Sequence, residues 1–214
     1  MGYNAAPEEK FMSGDDDGPV RAFIAVRMPE EVRAGLHRAQ EDLRRLGADV
    51  KWVALDQIHL TLAFLGNVPS AGIEGIKQAM DEVASGRKPI PFAVSGLGFF
   101  GSPTSPRVVW VGLQAPPDLR ELQAALAAGL SGKGFRTEDR EFHPHLTLGR
   151  TRSALGALAL ARRIGERKGL ALGNGMVEAL HLFQSVLRPE GPVYTPLHAA
   201  PIGGNRASPG VSHA

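Results

Sequence analysis

The chain predicts an α+β fold of two pseudo-symmetric lobes, each with a mostly antiparallel sheet and flanking helices, around a central cleft. Three observations point there. Short apolar runs of strand character interleave with helical stretches along 214 residues. Several neighbouring runs are joined by too few residues for a parallel crossover, so the sheets need antiparallel pairs. A short pattern also occurs twice, as His59-Leu-Thr-Leu and His145-Leu-Thr-Leu, 86 residues apart.

Taken in order, Arg21-Ala-Phe-Ile-Ala-Val reads as an apolar strand. Pro29 follows where a first helical turn tolerates proline, and Val32, Leu36, Ala39, Leu43 and Leu46 recur at helical spacing up to Gly47. Val50 to Val53 and Ile58 to Leu65 read as strands, and Ser70 as the cap of a helix running to about Ser85. Strands are expected near Phe92–Leu97 and Val108–Leu113, across a Gly/Pro/Ser loop at Gly101–Pro106. Asp118–Leu130 is Ala/Leu-rich and helical, His145–Gly149 a strand, and Ser153 to Gly165 a helix. Val177–Val186 and Val193–Ala199 close the order as a hairpin around Pro189-Glu190-Gly191. The ends carry Gly, Pro and polar residues without periodicity. Residues 1–19 are expected to be a disordered acidic extension, residues 20–200 the folded domain, and residues 201–214 a flexible tail.

Composition removes whole classes of function. At 43% hydrophobic residues the chain can bury a core. No apolar run approaches the ~18–20 residues of a membrane span, so no membrane partner is expected. The first residues lack a basic patch followed by an apolar stretch, so no secretory signal is read there. A cytoplasmic monomer is the expectation. The absence of cysteine excludes disulfides, thiol catalysis and Cys-based metal sites. Five acids (Glu8, Glu9, Asp15, Asp16, Asp17) against Lys10 give the first 20 residues a local net of −4. Subtracting this from the overall +2 leaves +6 on the remainder, a balance that can attract a polyanion.

The repeated pattern carries the chemistry. Side chains alternate along a strand, so His59 shares a face with Thr61, and His145 with Thr147, while the leucines point to the core. If internal pseudo-symmetry relates the copies, two imidazoles and two hydroxyls converge on one small volume. Free imidazole titrates near ~6.5, so two of them can act as base and acid at neutral pH. Threonine hydroxyls can donate to phosphoryl oxygens without adding charge. Such a set suits in-line displacement at phosphorus. His143-Pro-His145 could instead begin a metal site, but no Asp or Glu accompanies it at ligand spacing; Glu138, Asp139 and Glu141 fall in a loop. No metal is expected. His37 reads as solvated on its helix, and His181 and His198 as structural. Trp52, Trp110, Phe142 and Tyr194 could stack on a base, with core packing the expectation for most. The Gly101–Pro106 loop lacks the Lys-Ser/Thr ending of a phosphate loop.

At these residues the chain resembles the two-histidine (2H) phosphoesterase superfamily. Within it, it is similar to the bacterial RNA 2′,3′-cyclic phosphodiesterases, also described as 2′-5′ RNA ligases. The resemblance spans Val20 to Leu197. It takes in Arg21-Ala-Phe-Ile-Ala-Val, Val50-Lys-Trp-Val, both His-x-Thr motifs, Pro106-Arg-Val-Val-Trp-Val-Gly, Phe142-His-Pro-His-Leu-Thr-Leu-Gly-Arg, Leu182-Phe-Gln-Ser and Gly191-Pro-Val-Tyr.

The resemblance implies metal-independent, cofactor-free hydrolysis of an RNA-terminal 2′,3′-cyclic phosphate to a 2′-phosphate. By the same resemblance His59 is the proton donor, His145 the proton acceptor, and Thr61, Thr147 and Arg150 hold the phosphate. RNA ends, or nucleotides bearing the cyclic phosphate, are the implied partners. Arg150 sits five residues past His145, which a regular strand would send to the opposite face; a bulge at Gly149 could re-aim it. Two other readings stay open: a 2′-5′ ligase acting on tRNA halves, and an RNA- or nucleotide-binding module without turnover.

Overall fold

The computed structural model describes residues 18–137, 141–189 and 191–203. The proposed extension through Asp17, the tail beyond Gly203, and Glu138, Asp139 and Glu190 lie outside the described residues. The elements run β1 (Val20–Arg27), α1 (Glu30–Arg44), β2 (Val50–Trp52), β3 (His59–Val68), α2 (Ile73–Ala84), β4 (Ile90–Ser102), β5 (Ser105–Gln114), α3 (Asp118–Gly132), β6 (His145–Thr151), α4 (Ala157–Glu166), β7 (Ala171–Val177), β8 (Ala179–Arg188) and β9 (Gly191–Pro201).

Among the described residues, all nine strands join one sheet in the order β7-β4-β5-β6-β3-β1-β8-β9, with β2 paired to β6. Every pairing is antiparallel. The two lobes of the expected fold are the two halves of this sheet, β3-β1-β8-β9 and β6-β5-β4-β7. The seam between them is a single paired position, Leu60 opposite Leu146. The halves match strand for strand about that seam, as the repeated motif predicts.

The helices cover one face of the sheet. α2 lies on β8 and β9 with α3 beside it, whereas α1 crosses to pack on β7 and α4 on β4 and β5. α1 has the amphipathic spacing for this: Val32, Leu36, Ala39 and Leu43 are each 0–2% exposed. Fully burying side chains of this kind contributes at most about 1.5–3 kcal/mol for each of the larger ones. The crossing is close. A Cβ on Gly35 would lie 2.0 Å from the Leu172 carbonyl oxygen, so only glycine lets α1 seat on β7.

Two local expectations need correction. Ser70 does not cap α2; it opens a short 3₁₀ turn, and its hydroxyl donates to the Gly18 carbonyl at 2.6 Å, while Gly72 precedes the helix. Residues 171–177 form an edge strand, β7, where the sequence reading placed no element, and the strand expected from Val177 begins at Ala179. Its two glycines and Asn174 hide the strand pattern, yet a Cβ on Gly175 would meet the Phe92 ring at 2.5 Å. Strand β9 ends at Pro201. Ile202 is buried, and its amide donates to Glu178. Among the described residues no helix is long and apolar enough to cross a membrane.

Candidate active site

The seam of the sheet assembles the site. Leu60 and Leu146 are 1% and 0% exposed beneath the helices. Their neighbours His59, Thr61, His145 and Thr147 therefore point to the opposite, uncovered face. In this antiparallel register His59 lies across from Thr147, and Thr61 from His145. All four line one cleft of about 630 Å³.

Both histidines are held the same way. Nδ1 of His59 donates to the Gln57 carbonyl and Nδ1 of His145 to the His143 carbonyl, each at 2.7 Å. A carbonyl can only accept, so both rings carry the proton on Nδ1 and leave Nε2 free for chemistry. Their surroundings differ. His59 stacks on Phe23 at 4.7 Å and meets Tyr194 edge-on at 5.6 Å. Burial among these rings lowers its pKa below the ordinary imidazole value, partly offset by the hydrogen bond to Gln57. His145 faces the edges of Phe100 at 5.2 Å and Trp110 at 6.4 Å.

Each motif strand bulges just past its threonine. Against β5, Trp110 pairs with Thr147 and Val109 with Gly149, leaving Leu148 as the extra residue of β6. Against β1, Ala25 pairs with Thr61 and Ile24 with Ala63, leaving Leu62 extra in β3. The freed carbonyls find glutamine side chains from helices. Gln40 of α1 donates to Leu148 at 2.9 Å and also to Val53, and Gln123 of α3 donates to Leu62 at 3.2 Å. The bulge resolves the offset of Arg150: one extra residue restores the face, and Arg150 lines the cleft beside Thr147. Gly149 permits β2 to close on this bend, because a Cβ there would sit 2.6 Å from Val50 Cγ1.

Arg21, Lys51 and Phe64, which sequence reasoning missed, complete the wall together with Trp52 and Tyr194, and among the described lining residues there is no Asp or Glu. Burial raises the pKa of the Tyr194 phenol, while the nearby charges of Arg21 and Arg150 pull it back. Trp52 lies under the Arg44 guanidinium at 5.3 Å and also packs against the core, as expected. Phe142 packs against the core. His143 lies outside the cleft lining, facing Glu141 at 3.6 Å, and contributes its backbone carbonyl. Among the described residues no three His, Asp or Glu side chains converge as metal ligands. His198 meets Asp81 at 2.7 Å, far along β9.

A duplicated antiparallel half-barrel presenting one His-x-Thr pair from each half is the architecture of a two-histidine phosphoesterase. The comparisons agree. The sequence model described as LigT like Phosphoesterase matches twice in tandem, over residues 26–110 and 111–194, and the chain belongs to that family. An RNA 2′,3′-cyclic phosphodiesterase of Methanothermobacter thermautotrophicus is 36% identical over 176 residues, covering 82% of this chain and 95% of that protein. One from Thermotoga maritima is 31% identical over 185 residues, covering 86% and 97%. In structure, TT0787 of Thermus thermophilus superposes with a TM-score of 0.73 at 31% identity, covering 86% of this chain and 98% of that one. LigT of E. coli complexed with 3′-AMP gives 0.68 at 26% identity, covering 86% and 98%.

Proposed function

We propose that this protein is an RNA 2′,3′-cyclic phosphodiesterase that opens a terminal cyclic phosphate to a 2′-phosphate. The observation that carries the reading is the meeting of two histidines with free Nε2 atoms and two threonines in one cleft whose described lining holds cations and no acids. The named activity of the relatives supports it.

Thr61, Thr147 and Arg150 hold the non-bridging oxygens. His145 Nε2 takes a proton from water as the water oxygen attacks phosphorus. The P–O3′ bond breaks in line, and O3′ takes the proton of protonated His59 Nε2. The site ends with His145 protonated and His59 neutral, and exchange with solvent resets it. A donor must begin protonated, whereas burial disfavours charge on His59. The phosphodiester anion entering the cleft favours the imidazolium and offsets that cost.

The test is turnover of an oligoribonucleotide ending in a 2′,3′-cyclic phosphate, with the same oligomer ending in a 3′-hydroxyl as control. Excess EDTA is expected to leave the rate unchanged. Loss of turnover in EDTA, restored by one divalent metal, would overturn the two-histidine mechanism.

A further inference from the structure

The bulges give the two motif strands matching positions three residues past each threonine. In β6 that position is Arg150; in β3 it is Phe64, which lines the same cleft. The half of the cleft built on β3 is not without a cation, however. Arg21 reaches across from β1, and its guanidinium carbon sits 4.6 Å above the Phe64 ring. Its Nε is out of contact with solvent and has no acceptor among the described residues. Arg21 and Arg150, carried by strands of opposite lobes, line one cleft with Tyr194, and the charges of both are felt at its phenol.

Phe64 pairs with Phe23 and Thr61 with Ala25, two strand steps apart on β1, which is about 7 Å. Arg150 stands the same two steps from Thr147 against β5, so what sets Arg21 apart is its aromatic brace and its unpaired Nε. With the cyclic phosphate assigned to Thr61, Thr147 and Arg150, Arg21 is a cation left for a second anion. An RNA end with a terminal cyclic phosphate carries its nearest other anion on the 5′ side of the terminal nucleoside.

We propose that Arg21, braced on Phe64, binds this 5′-flanking phosphodiester and so makes the site prefer an RNA end over an isolated cyclic nucleotide. The proposal rests on the cyclic phosphodiesterase reading of the cleft. It makes Arg21 a specificity-determining residue, and it uses an aromatic platform to hold the guanidinium flat while its N–H edge stays free.

The experiment compares two dinucleotides ending in a 2′,3′-cyclic phosphate. One has the natural internal phosphodiester and the other an uncharged methylphosphonate in its place. The wild-type protein is expected to favour the charged substrate at least about tenfold in kcat/KM at low salt, the scale of a hydrogen bond to a charge. That preference should be carried by KM and should shrink as salt rises. Arg21→Gln should abolish the preference, and Arg21→Lys should retain part of it. Equal turnover of both substrates by the wild type would overturn the proposal while leaving the function intact, and needs no variant to fold. A preference that survives Arg21→Gln would also overturn it. Turnover of neither substrate would overturn the reading of the cleft and the proposal with it.

Discussion

At the scale of single residues, the fold gives each of two histidines a backbone carbonyl two residues upstream as acceptor, and sets them in different surroundings. Replacing either His59 or His145 with Ala is expected to lower kcat by at least ~10²-fold, the scale of a lost acid or base. Steady-state kinetics of the double variant should match the worse single one, because groups acting as a unit are not additive. The buried ring of His59 also sets a pH signature. One limb of the kcat/KM profile should lie below ~6.5, since burial lowers this pKa. Phe23→Leu removes the stacked ring and should move that limb upward, as less desolvation opposes the charge. Stability follows the same sign. The unfolded chain binds the His59 proton more readily than the native state, so the native state loses stability as pH falls below ~6.5 toward the folded pKa. Urea midpoints across pH 5 to 8 would check this, with His59→Gln showing a weaker dependence; His181, lowered by burial and by Arg27, contributes in the same direction.

At the scale of elements, the paired bulges do the aiming, and glutamines hold them. Gln40 is 2% exposed and serves two carbonyls. Gln40→Leu leaves both without that donor and is expected to cost about 1–3 kcal/mol in urea unfolding. It should also raise KM through displacement of Arg150. Gln123→Leu, at a less buried site with one bond, should cost less. Much of this level was legible in the sequence. The His-x-Thr alternation identified both motif strands, and the helical spacing from Val32 to Leu43 identified α1. The β6 bulge was legible near Gly149 from the offset of Arg150, whereas the β3 bulge was not, because Leu62 looks like an ordinary inward residue and only a partner strand reveals it as surplus. The edge strand β7 was hidden for a related reason. Its glycines answer to a neighbour, Phe92, that local propensity does not see. Lys51 and Arg21 reach the cleft from strands other than the motif strands, and no local pattern marks them.

At the scale of the whole molecule, duplication explains both the fold and the chemistry. Each half supplies one imidazole, one hydroxyl and one bulge, and the seam at Leu60 and Leu146 turns them toward each other. Charge acts at this scale too. Deleting residues 1–17 removes a local net of −4 and is expected to leave the thermal midpoint unchanged. Binding of single-stranded RNA, measured by fluorescence anisotropy, should tighten at low salt, and the gain should fade as salt rises. The central claim is that His59 stands behind the leaving 3′ oxygen and His145 behind the attacking water. In-line displacement then fixes which P–O bond breaks. The most direct measurement is phosphorus NMR of the product formed from an oligoribonucleotide 2′,3′-cyclic phosphate. The account predicts a single 2′-phosphomonoester with a free 3′-hydroxyl, resistant to an enzyme specific for 3′-phosphates. A predominantly 3′-phosphate product would contradict it.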